Sequence, residues 1–191
     1  MRSALFLSLT ALWLQLPQLE FRPEGVKPII ENERVTVWDV RAPIRSHGET
    51  SIVVAIAPPS VAGKVFAGRA APAADRAIII DLKDHRVPPL QNKSGYPNAF
   101  PRPGNVKVLE NDRIVVWDYT WTAGVPTPMH FHDKDVVVVY LEEGALRSTT
   151  PDGQSTVNEL SPGMTRFNPR DRVHTEQLVR GKSRAIITEL K

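Results

Sequence analysis

Two stretches of this chain hold the side chains best suited to chemistry. The first runs Gly124-Val125-Pro126-Thr127-Pro128-Met129-His130-Phe131-His132, and the second Pro169-Arg170-Asp171-Arg172-Val173-His174. Histidines at i and i+2 put both imidazoles on one face of an extended strand. A third imidazole from a neighbouring strand would complete a donor set for a transition metal with positions left open. The chain has no cysteine, so any metal must take nitrogen or oxygen. Three neutral imidazoles leave a divalent ion its full charge, which favours an anionic co-ligand such as a carboxylate, thiolate or hydroxide. The donor set suits Fe, Mn, Zn, Ni or Cu alike.

Strands must carry such a trio, and the composition agrees. The 191 residues suffice for one sizeable core or two small ones, and 17 prolines fall largely between apolar runs. That punctuation predicts short strands joined by turns. Past the first residues no stretch shows a 3.6-residue apolar period. A net charge of +3 without a basic block excludes nucleic acid as an expected partner and leaves a small molecule. Residues 1–20 combine Met1-Arg2 with an apolar run of thirteen, 4–16, closed by Pro17. This is the pattern of a secretory signal, short for a membrane span and lacking a good cleavage site. Export, to the periplasm or the medium, is the expectation; an N-terminal anchor is the alternative.

The chain repeats itself. Residues 31–40, ENERVTVWDV, match 110–119, ENDRIVVWDY, at six of ten positions, and 76–83, RAIIIDLK, answers 184–191, RAIITELK. His47 aligns with His132 but lacks its i−2 partner, and nothing in the first copy answers His174. The first copy runs from 31 to 83 and the second from 110 to 191, so the first is shorter by 29 residues. It reads as a framework, 21–83, without the site. A proline-rich linker, 84–105, should lie extended over a surface. Residues 106–191 form the complete copy, with strands expected at 114–121, 135–141, 145–149, 164–168, 173–179 and 184–190.

With these residues in view, 106–191 resemble the cupin family. Gly124, His130, His132 and Gly144 fit its first motif; Gly163, Pro169 and His174 fit its second, with Asp171 where a glycine is usual. The resemblance implies an all-β cupin jelly-roll barrel, duplicated, with a truncated N-terminal copy packed on it or on a second subunit. Open sheet edges in that copy need a cover, either the linker or a partner chain, so a homodimer is expected. It implies a metal held by His130, His132 and His174. The motif's glutamate position, seven residues before Gly144, holds Val137, and Asp135 is out of step. A three-histidine shell of this kind resembles that of the thiol dioxygenases, which implies a metal-dependent oxidoreductase acting on a small anionic molecule. A non-catalytic metal or ligand binder and a structural module with a degenerate site are the alternatives. No acid–base group beside the metal is identifiable in the sequence.

Other residues fall into place around the trio. Trp117, Tyr119 and Trp121 share a strand face. Trp38 repeats Trp117 in the copy without a site, so Trp117 reads as core, whereas Tyr119 and Trp121 could line a pocket. Arg147 and Arg166 could anchor an acidic substrate in a bidentate pair, or simply face solvent. Arg170, Arg172, Arg180, Lys182 and Arg184 read as surface charges, and His47 and His85 as bystanders.

Overall fold

Among the described residues every regular element is a strand, as the proline-punctuated apolar runs predict. The computed structural model describes residues 23–41, 48–68 and 73–191, so the leader and His47 lie outside the described residues. The first five strands are β1 (Ile30–Glu31), β2 (Val35–Val40), β3 (Ser51–Ala57), β4 (Val65–Ala67) and β5 (Arg76–Leu82). Then come β6 (Val106–Glu110), β7 (Ile114–Thr120), β8 (His130–His132), β9 (Val136–Tyr140) and β10 (Gly144–Thr149). Last are β11 (Ser155–Leu160), β12 (Thr165–Asn168), β13 (Arg172–Gly181) and β14 (Arg184–Leu190). The β6, β11 and two-residue β1 strands were not expected from the sequence. Among the described residues no helix is long and apolar enough to cross a membrane.

The strands form three antiparallel sheets, ordered β1-β2-β5-β3-β4, β12-β9-β14-β7-β6 and β11-β10-β13-β8. The last two face each other as a barrel. Its interior is packed by Val115, Trp117, Tyr119, Trp121, Val136, Val138, Tyr140, Leu146 and Leu178, among others. The N-terminal sheet lies on the barrel's outer face, where Val35, Val37, Ile52, Val54, Ile78 and Ile80 meet Ile114, Val116, Val137, Val139 and Ile186. β9 is therefore buried at every position. Alternate side chains serve the two cores, as the period of two requires. Val137 and Val139 point to the inter-sheet core, Val136, Val138 and Tyr140 into the barrel.

The two five-stranded sheets share one plan. Strands β1, β2, β5, β3 and β4 pair in the same order as β6, β7, β14, β9 and β12. Registers agree too: Trp38 faces Ile79 as Trp117 faces Ile187, and Val53 faces Ile79 as Val138 faces Ile187. Trp38 donates through Nε1 to Asp81 at 2.9 Å, and Trp117 to Glu189 at 2.7 Å. The contacts between the sheets are reciprocal. Arg76 forks onto Asp39 and donates to the carbonyl of Pro162 beside Gly163; Arg184 forks onto Asp118 and lies against Gly63. Both glycines have φ near +80°, and a Cβ on either would strike the opposing guanidinium. Arg34 donates to the carbonyl of Lys191, and Arg113 to that of Lys83. Arg184 is thus not a free surface charge.

Residues 84–105 run as a strap along one edge of the barrel. Ala99 N–H donates to Phe131 O and Phe131 N–H to Pro97 O, so the strap pairs with β8, an edge strand of the barrel. Leu90 N–H donates to Asp133 O, further along the same edge. From this strap Phe100 and Arg102 turn inward and are buried.

Candidate metal centre

Two neighbouring strands build the site. On the β8–β13 ladder His130 stands directly opposite His174 and His132 opposite Arg172. Before β13 the chain turns through Asp171, whose φ is 65°, and Asp171 N–H donates to His132 O at 2.9 Å. This is the position where the motif usually has glycine. An aspartate is among the few side chains that tolerate the left-handed region.

The three imidazoles converge. Their ring centroids stand 4.8 to 5.0 Å apart in mutual edge-to-face orientation, and one donor atom from each lies within 4.8 Å of the others. All three histidines are buried. His132 Nε2 and His174 Nε2 are 3.1 Å apart. Two nitrogens each about 2.1 Å from one tetrahedral ion would stand about 3.4 Å apart, so the His132–His174 pair matches a shared ion, and the His130 donor lies within 4.8 Å of both. His130 Nδ1 donates to Pro128 O at 2.8 Å, which turns Nε2 inward in the manner of ligating histidines. Ser148 Oγ lies 3.1 Å from His174 Nδ1.

Burial keeps the rings neutral, the state a metal needs. Burial first, then the charge of Arg102, pushes His130 down to about 4 from 6.5. Burial and the other two histidines hold His132 well below its ordinary value. Burial also lowers His174, with Arg172 and Arg102 adding to the effect against Glu176.

Three residues near the trio escaped the sequence reading. Arg102 is almost fully buried; it donates to His130 Nε2 at 3.2 Å, reaches Glu176 at 3.5 Å and lies 4.3 Å over the Tyr119 ring. Phe100 and Trp121 flank the same guanidinium. Arg172, expected at the surface, is partly buried with Nη2 3.2 Å from His174 Nδ1. Glu176 follows His174 by two residues on β13 and faces Ser148 across the ladder. Burial alone would raise its carboxyl, but His174 and Arg102 outweigh that and hold it lowered. Its signal was available: i+2 from a ligand on a strand means the same face.

Tyr119 and Trp121 do line the interior, 4.7 Å apart edge to face. Arg166 stands opposite the inward-facing Val138 while its neighbour Phe167 packs on the inter-sheet core, so its half-buried side chain faces the barrel, where it donates to Asn158 of the opposite sheet at 2.7 Å. Arg147 is exposed on the outer face, beside Gln177 and Val179 around a hollow of about 560 Å³. Its neighbour Leu146 takes the inward position, so Arg147 must point out. The vacancy at Val137 has a physical form: that side chain faces the inter-sheet core, and the inward-facing β9 residues Val136 and Val138 carry no oxygen either. Asp135 is engaged elsewhere, by Arg34 and the amide of Arg170.

A His-x-His edge strand paired with the strand of a third histidine, inside a two-sheet antiparallel barrel, decides the fold. The C-terminal half is a two-sheet antiparallel barrel of the jelly-roll kind. No protein-family model matches the chain, and no curated protein matches it significantly. Among solved structures it is similar to a cupin domain from Bordetella pertussis Tohama I, with 27% identity over 48% of this chain and 97% of that one, TM-score 0.41. A cupin of double-stranded β-helix fold from Methanocaldococcus jannaschii matches at 11% identity over 56% and 91% of the two chains, TM-score 0.39. A polyketide cyclase from Streptomyces resistomycificus matches at 22% over 53% and 78%, TM-score 0.39.

Proposed function

We propose that this cupin barrel is a metal-dependent enzyme of oxygenase type acting on a small, oxygen-rich anion. The observation that carries the reading is the convergence of three neutral imidazoles with Glu176 and Arg102 inside the barrel. His130, His132 and His174 would hold a divalent transition ion through Nε2. Such an ion supplies Lewis acidity and, if redox-active, electrons. Arg102, Arg166 and Arg172 give the interior positive charge, which Glu176 offsets in part. Arg102 Nε, Arg172 Nη1 and Trp121 Nε1 are buried donors without an acceptor, which supports an acceptor-rich ligand. Glu176 carries the acid–base chemistry that the sequence did not reveal: a carboxylate on the ligand-bearing face, placed to take or return a proton. The rings of Phe100, Tyr119 and Trp121 surround the Arg102 guanidinium and hold it in place.

A non-catalytic site without an ion has one observation in its favour. Arg102 donates to His130 Nε2, Arg172 to His174 Nδ1, and His174 Nε2 to His132 Nε2, a hydrogen-bond circuit that satisfies the trio without an ion. Oxygen uptake by metal-loaded protein, measured across small thiols and carboxylic acids, separates the two. Uptake with one class, lost in Glu176→Gln, supports the enzyme; protein that takes up neither metal nor oxygen supports the ion-free site, and metal binding with no turnover a plain binder. Export and pairing with a second copy belong to the same proposal, checked by the mass of the mature N-terminus and of the native particle.

A further inference from the structure

We infer that Arg34, from the N-terminal sheet, is a positioning residue of the metal centre, acting through Asp135 on both segments that carry the histidines. The inference rests on the reading of the trio as a metal centre. Asp135 lies three residues beyond His132 and is buried. Its Oδ1 accepts the backbone N–H of Arg170 at 2.9 Å, in the turn that leads to His174. Its Oδ2 accepts Arg34 Nη1 at 2.6 Å. One carboxylate thus staples the exit of β8 to the entry of β13, and Arg34, itself only 4% exposed, neutralises it. Without Arg34 a buried carboxylate would be left uncompensated, and it would draw in water or shift, loosening both segments.

The reciprocal packing of the two sheets singles this contact out. Arg113 occupies the place of Arg34 in the second copy and bonds the carbonyl of Lys83 as Arg34 bonds that of Lys191. The shared register places Thr50 where the other half has Asp135, and a threonine cannot form the ion pair. Leu82 N–H donates to Thr50 O as Leu190 N–H donates to Asp135 O, so the backbones correspond and only the charge differs. The added acid sits in the half that has the histidines. The N-terminal sheet is thereby more than a cover for the barrel.

The test compares Arg34→Met with Arg113→Met by titrating Co(II) and reading its visible absorption, with circular dichroism and a thermal melt on each. Arg34→Met should weaken Co(II) binding roughly 10- to 100-fold in protein that remains folded, as loss of an orienting partner does. Arg34→Lys should recover part of the loss, and Arg113→Met should match wild type. Amide hydrogen exchange at Arg170 and Asp171, read in metal-free protein, should quicken in Arg34→Met alone. Equal losses in both methionine variants, or none in either, would overturn the inference. If wild type binds no Co(II), the metal reading fails, and the exchange rates decide the clamp by themselves: equal rates in the two variants overturn it.

Discussion

The two five-stranded sheets of this chain are built alike and serve differently. Strand order, register, the tryptophan bonded to a carboxylate and the arginine forked onto aspartate recur in both. Among the described residues only one of them is closed by a second sheet, and that sheet brings β8 and β13 with the histidines. A framework of this kind is stable because apolar faces are buried, and it does not need a site to fold. The site is a property of the second sheet and of the strap that seals it.

The largest contrast should appear on removing a ligand. His132→Ala should reduce metal affinity by orders of magnitude, while His85→Ala, on an exposed linker position, should leave it unchanged; a titration reads both. Next is the shared core. Ile80→Ala in one sheet and Ile186→Ala in the other should each cost about 2–5 kcal/mol, and each should melt the chain in one transition, because the two side chains belong to one cluster. Two separate transitions would show that the halves fold independently.

Acid comes third. Folded protein holds His130 neutral down to about pH 4, whereas the unfolded chain takes that proton near 6.5. Between those values the unfolded state binds more protons, so the metal-free protein loses stability as pH falls. His130 alone contributes about 3 kcal/mol, with His132 and His174 acting in the same direction. Denaturant midpoints from pH 7 to 4 check it, and a flat profile would mean that the rings are not buried neutral. The smallest effect tests the reciprocity of the sheets. Arg76→Ala and Arg184→Ala, at partly exposed positions, should cost similar amounts, on the order of 1 kcal/mol. A large disparity would show that the matching contacts are unequal in energy.

Much of this was legible from residue spacing. His130, His132 and His174 are local signals, an i, i+2 pair and a turn-flanked partner, and the shared plan of the two sheets shows as aligned β-branched runs. What escaped depends on parity and on long-range approach. Arg147 looked like a cavity residue because its strand borders the barrel, but Leu146 already claims the inward face. Glu176 could have been found by carrying parity on from His174. Arg102 had no local signal, since a lone arginine in a proline-rich linker says nothing of the barrel it enters. Its place follows from the pairing of the strap with β8, a contact between segments about thirty residues apart in the chain.

The central claim is that the three histidines hold a divalent ion. Elemental analysis of protein purified without an affinity tag, beside a His130→Ala, His174→Ala double variant, tests it directly. The account predicts about one transition ion per chain in wild type and none in the variant. Wild type free of metal, and refusing it in equilibrium dialysis at neutral pH, would contradict the account.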